Sequence, residues 1–152
     1  MTFMLRNPLR RDLATVNYLD MEQPNTLDTQ SQKMTFTKYK TARFYGDRTY
    51  QLTRDQWKLF SWLRKQHKMR GITDGHLLRN TYWRPLTPNA LTAYMGAQCR
   101  CLPSCEHKKM GCCLLRHIVI SYLKRNEMTM AQRTTMAHSM MHSVRQQEMY
   151  RV

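Results

Sequence analysis

Hydrophobic residues recur along this chain mostly at helical intervals, with one short region where they alternate. Leu9, Leu13 and Val16 keep helical spacing after Pro8, which breaks anything earlier. Asn17 to Lys33 is polar, contains Pro24 and Asn25, and reads as a loop. Met34-Thr35-Phe36-Thr37-Lys38-Tyr39 alternates, and Arg48-Thr49-Tyr50-Gln51-Leu52 is β-prone after a Gly46-Asp47 turn, so the two predict a hairpin. Thr53 to Lys68 carries the clearest helix signal. Thr53 and Gln56 have capping-box spacing, Leu52 and Trp57 suit a hydrophobic staple, and Trp57, Phe60 and Leu63 (with Leu59) make an apolar face.

Met69 to Arg84 is a connector punctuated by Gly71 and Gly75. Thr87-Pro88 sets an N-cap and a first helical residue, with Leu91, Tyr94 and Met95 as the buried stripe and Gly96 as the stop. Leu114 to Lys124 predicts a helix that turns Leu115, Ile118, Val119, Tyr122 and Leu123 to the core. The last helix is predicted over Met128 to Val144, capped by Thr129, with Met130, Met136, Met140, Met141 and Val144 on its apolar face. Methionine stripes of this kind commonly fill cores or interfaces.

Composition narrows the class of partner. The chain has 152 residues, the length of one domain, and 41% hydrophobic content favours a folded protein. Its 25 Lys+Arg against 10 Asp+Glu give a formal net charge of +15. Such an excess repels itself unless a polyanion neutralises it, which points to DNA or RNA. No stretch approaches the roughly 18 apolar residues that would span a bilayer. The basic residues are also spread along the whole length and not gathered beside a membrane segment, so no membrane partner is expected.

The five cysteines all lie between Cys99 and Cys113. They are too bunched for a secreted disulfide framework and indicate a reducing, intracellular compartment. The basic, partly apolar Met1 to Leu13 has a lesser reading as a short organellar leader. Cys99-x-Cys101-x₃-Cys105-x-His107 offers thiols and an imidazole of the kind tetrahedral zinc takes. The Cys-x-Cys step is tighter than a familiar finger, so no metal is assigned; zinc pinning this loop is the lesser reading.

Candidate chemistry sits near the C-terminus. Arg116, His142 and Tyr150 together make a kit for attacking a phosphodiester: a phenol oxygen as nucleophile, with positive charge and protons for the phosphate. His138 and His142 stand one helical turn apart, but no acidic residue lies between them to make a metalloprotease motif. Lys38, Lys40, Arg43 and Arg48 would give the predicted hairpin the charge of a phosphate-contacting ribbon.

Leu115-Arg116-His117, Met140-Met141-His142-Ser143 and Tyr150-Arg151-Val152 resemble the wording of the tyrosine recombinases, the phage-integrase family. With Pro8-Leu9-Arg10-Arg11-Asp12-Leu13 and Lys38-Tyr39-Lys40-Thr41 included, the resemblance runs from Leu9 to Val152. It implies a mainly α-helical α+β fold with a small β-hairpin or three-stranded sheet. It also implies that residues 1–152 form a single catalytic-domain-like unit, without the family's separate N-terminal DNA-clamp domain.

The implied chemistry is DNA strand cleavage and rejoining through a 3′-phosphotyrosyl intermediate, with no metal or nucleotide cofactor. Tyr150 would be the nucleophile, Arg10 (or Arg11) and Arg116 the phosphate clamp, His142 (or His138) a phosphate or proton partner, and Lys40 the acid for the leaving 5′ oxygen. The partners implied are DNA and further copies of the chain at a synapse. Trp83-Arg84-Pro85-Leu86-Thr87 resembles the segment before the family's mid-domain helix, which makes Asn89 and Thr92 candidate exposed readers of the major groove. Two positions depart from the pattern: Cys113 stands where the family has a histidine before the arginine, and Met141 where it has a glycine. A basic DNA-binding module with impaired chemistry, or a zinc-stabilised nucleic-acid adaptor, are the alternative readings.

Overall fold

A computed structural model describes residues 11–101, 111–125, 128–140, 143–145 and 149, apart from the side chains of residues 99, 112, 113, 115, 123–125 and 139. The chain divides into two compact units, one of Asp12–Pro88 and one of Met1–Arg11 with Asn89–Val152.

The first unit begins in a 3-10 turn, Arg11–Thr15, which buries Leu13 and Ala14. Three strands follow, β1 (Asn25–Asp28), β2 (Lys33–Phe36) and β3 (Arg48–Gln51), in an antiparallel sheet of order β1-β2-β3. β1 pairs Leu27 with Met34, and β2 pairs Met34 with Tyr50. Met34 and Phe36 alternate inward on β2, as the pattern requires. Leu27, Met34 and Phe36 are fully buried.

β1 lies inside the stretch that the sequence marks as a loop. It carries a single apolar residue, Leu27, and its other inward position is Asn25. The predicted hairpin is also shorter than expected. β2 stops at Phe36, and the link to β3 contains a short helix, α1 (Ala42–Tyr45). At Thr37 the backbone N–H leaves the ladder for the carbonyl of Pro24, 2.9 Å away.

Helix α2 (Arg54–Met69) has the predicted cap. Thr53 accepts from the Gln56 N–H, and the Gln56 side chain accepts from the Thr53 N–H at 2.9 Å. Phe60 and His67 are buried on its inner face, Trp57 and Leu63 are half-buried, and Leu59 is exposed. The following connector is stitched to the start of the unit by hydrogen bonds from Tyr18 N to Gly75 O and from Leu77 N to Val16 O, both 2.9 Å.

The second unit holds α3 (Pro88–Arg100), α4 (Cys112–Arg125) and α5 (Met130–Ser139). Gly96 does not end α3; it is an ordinary helical residue, and the helix runs one more turn. An interior glycine costs a helix only about 1 kcal/mol, which packing readily offsets. Leu91 and Met95 are buried as predicted, but Tyr94 faces solvent.

In α4 two of the predicted core positions differ, Val119 is half-buried, and the side chains of Leu115 and Leu123 lie outside the described residues. Ile120 and Arg116 are buried, while Ile118 and Tyr122 are exposed. Helix α5 has its own capping box, with Thr129 and Gln132 bonding reciprocally. Ala137 and Met140 are buried, while Met130, expected inside, is exposed. No helix among the described residues is long and apolar enough to cross a membrane.

Candidate active site

In the Asp12–Pro88 unit, Lys40 is exposed on the link between β2 and α1, not on a strand. Its neighbour Tyr39 is buried and its phenol donates to the Gly46 carbonyl at 2.6 Å. Burial holds that phenol's pKa above its usual value, so it remains a donor. One residue further back, Lys38 is held through its backbone by the buried Asn25 side chain. The base of Lys40 is therefore set from one side while its ammonium reaches solvent.

Arg43 is also exposed, on α1, with its guanidinium 4.5 Å from the Phe44 ring centre. Arg48 on β3 is half-buried, 5.8 Å from the Tyr45 ring, and its proximity to Tyr39 counteracts part of that tyrosine's shift. Lys38 and Lys40 are thus exposed cations, whereas Arg43 and Arg48 lie against aromatic neighbours.

In the second unit, Arg116 is only 7% exposed, in the first turns of α4. A guanidinium is costly to desolvate, so a buried one requires compensating partners. His117 beside it is half-buried. Burial, with a smaller contribution from the Arg116 charge, lowers its pKa and favours the neutral ring.

Arg11, the alternative first arginine, donates to Asn89 Oδ1 at 2.9 Å, so two candidate residues meet at the start of α3. Thr92, expected as an exposed reader, is half-buried, and its methyl lies near Gly111, where an added Cβ would come within 3.3 Å of it. His138 is exposed at the end of α5. Arg10, His142 and Tyr150 lie outside the described residues, as do Cys105 and His107 and the side chains of Cys99 and Cys113. Cys101 is exposed as a free thiol. No group of metal-ligating side chains occurs among the described residues.

Asn25 was missed by the sequence reading. Its signal was faint: a polar residue in the inward register of a strand with one apolar partner, visible only once the strand itself is known.

The α+β fold that these elements make is similar to that of a solved recombinase and a solved integrase. The XerA recombinase crystal structure matches over 97% of this chain and 49% of its own, with a TM-score of 0.63 and 16% identity. The Tn1549 transposon integrase, solved in complex with transposon right-end DNA, matches over 99% of this chain and 52% of its own, with a TM-score of 0.69 and 15% identity. The chain therefore spans about half the length of each. No family model matches the sequence, and no curated protein matches it by sequence alone.

Proposed function

We propose that this chain cleaves and rejoins DNA strands through a covalent 3′-phosphotyrosyl intermediate. The observation that carries the reading is the burial of Arg116 in a recombinase fold, on a chain whose net charge is +15. In the proposed step the Tyr150 oxygen bonds to the scissile phosphorus as the bond to the 5′ oxygen breaks. Arg10 and Arg116 neutralise the charge that builds on the non-bridging oxygens, where fixed donors count most. His142 holds the phosphate or takes the phenol proton, and Lys40 gives a proton to the departing 5′ oxygen.

The phosphodiester energy is kept in the tyrosyl link, so attack by another strand's 5′ hydroxyl reverses the step and exchanges strands. DNA is the partner, gripped through many phosphate contacts, and a second copy at a synapse supplies the exchanging strand.

A nicked suicide duplex tests this. Its cleaved fragment diffuses away, so the intermediate is trapped and seen on a denaturing gel. The expected result is a protein–DNA adduct that disappears in Tyr150→Phe. Duplex binding without any adduct would instead mark a DNA-binding module that lacks the chemistry, and Cys113, standing at a position of the family's histidine, gives that outcome its rationale.

A further inference from the structure

The outer surface of α2 and the turn that follows it line an open pocket of about 460 Å³, wholly within the Asp12–Pro88 unit. Nothing in the proposed strand-cleavage chemistry uses it. One wall is basic, with Arg64, Lys65 and Lys68 from successive positions on α2. Tyr18, Leu19 and Ile72 add apolar lining, the Tyr18 ring lying beside Arg64. No carboxylate lines it. The nearest acidic residues in sequence are occupied elsewhere, Asp20 by Gln23 at 2.8 Å and Asp74 by an ion pair with Arg79.

The donors are held in place. The Arg64 guanidinium lies between two rings, 5.4 Å from that of Tyr18 and 5.6 Å from that of Trp57. Its Nε and the Ser61 Oγ are buried and have no hydrogen-bond partner among the described residues. Buried polar atoms are nearly always satisfied, so two orphans lining one pocket indicate a ligand that accepts from them. An arginine whose plane is fixed by aromatic stacking is preorganised for phosphate oxygens, and two flexible ammonium groups complete the charge.

We infer that this pocket binds a nucleotide, with its phosphate on Ser61, Arg64 and Lys68 and its base against the apolar lining. The space exceeds that of a lone phosphate and falls within the range of small-molecule sites. Three cationic side chains disfavour a cationic ligand, and the apolar lining beside them suits a planar group carrying the anion. The nucleotide is either free or part of a strand, and both sources present the same chemistry.

The test is lysine acetylation of the full chain followed by peptide mass spectrometry, with adenosine monophosphate, a single-stranded tetranucleotide, adenosine and inorganic phosphate as separate probes. Lys65 and Lys68 should be protected by the monophosphate or the tetranucleotide, while the exposed Lys58 and Lys33 serve as controls. Stronger protection by the tetranucleotide assigns the site to a strand, and equal protection to a free nucleotide. Lys68→Gln, on the exposed side of α2, should weaken nucleotide binding about tenfold without disturbing the core. Arg64→Gln should do at least as much.

Equal protection of all four lysines, full protection by inorganic phosphate alone, or none by either nucleotide would overturn the inference. The readout involves no strand cleavage, so it stands or falls apart from Tyr150.

Discussion

Asn25 grips both backbone groups of Lys38: its Nδ2 donates to the Lys38 carbonyl at 3.0 Å, and its Oδ1 accepts from the Lys38 N–H at 3.2 Å. Nδ2 also donates to Thr15 Oγ1 at 2.7 Å, so a side chain only 2% exposed is satisfied by the unit's first turn and by the link that carries Lys40. Asn25→Leu keeps the volume but leaves the Lys38 backbone groups without these partners. The expected loss is about 2 kcal/mol of stability, measured by urea denaturation. Adduct yield on the suicide duplex should fall further than duplex affinity, because the change displaces Lys40 and removes no charge. An unaltered urea midpoint would mean that the sheet alone fixes this link.

Arg116 yields the sharpest test of the proposed chemistry. Arg116→Lys keeps the positive charge and removes the planar fork, which matters at a phosphate and little for bulk DNA affinity. Adduct formation should drop about a hundredfold or more, the usual effect of losing one aligned transition-state donor. The salt dependence of duplex binding should barely change. If the lysine variant forms adduct at the original rate, Arg116 is buried for structural reasons and the proposed clamp is wrong.

How much of this was legible depended on whether hydrophobicity determined burial. The capping box at Thr53 and the cap at Thr129 were readable because caps are local chemistry, complete within four residues. The α+β class, and the alternation of Met34 and Phe36, were readable for a similar reason. β1 was not, because its inward Asn25 is buried by hydrogen bonds to residues distant in sequence. On α4 the apolar spacing favours Ile118 and Tyr122 for the core, whereas both are exposed and the helix buries Arg116 with Ile120. Apolar periodicity does not register a buried charge. Thr92, half-buried, lies near Gly111, a residue far along the chain that spacing within α3 does not show.

Gly75 joins two segments that sequence alone reads as loop. Its φ is +71°, and a Cβ there would run into the Asn17 side chain. Asn17 has no room to give: its Oδ1 accepts from the N–H groups of Leu19 and Asp20, both at 2.9 Å, and its Nδ2 donates to the Asp74 carbonyl at 2.8 Å. Gly75→Ala therefore combines left-handed strain with a broken hub and should cost about 3 kcal/mol in urea denaturation. Gly71→Ala separates the two effects. It shares a positive φ of 66° but meets nothing within 4 Å, so about 1 kcal/mol is expected. Equal losses at both positions would show that backbone strain, and not the Asn17 hub, dominates.

His67 makes the fold sensitive to mild acid. Its Nδ1 lies 3.2 Å from the Tyr18 hydroxyl, its ring is 1% exposed, and it packs edge-on to Trp83 at 6.1 Å. A neutral ring can accept the phenol's hydrogen; a protonated one cannot. Burial lowers the His67 pKa, and the nearby charges of Arg79 and Arg70 lower it further. With the folded value below the unfolded 6.5, the unfolded chain takes up the proton first as pH falls. The stabilisation is complete above 6.5 and is lost as pH drops through the depressed folded value. Urea midpoints should therefore decline between about pH 7 and pH 5, a range above the carboxylates of Asp20 and Asp28, whose pKa values are themselves lowered. His117 contributes with the same sign, so the His67 share is isolated by variant comparison. His67→Phe should be less stable at pH 8, having lost the Tyr18 bond, and should show a shallower decline towards pH 5. A decline as steep as that of the original chain would place the acid sensitivity elsewhere.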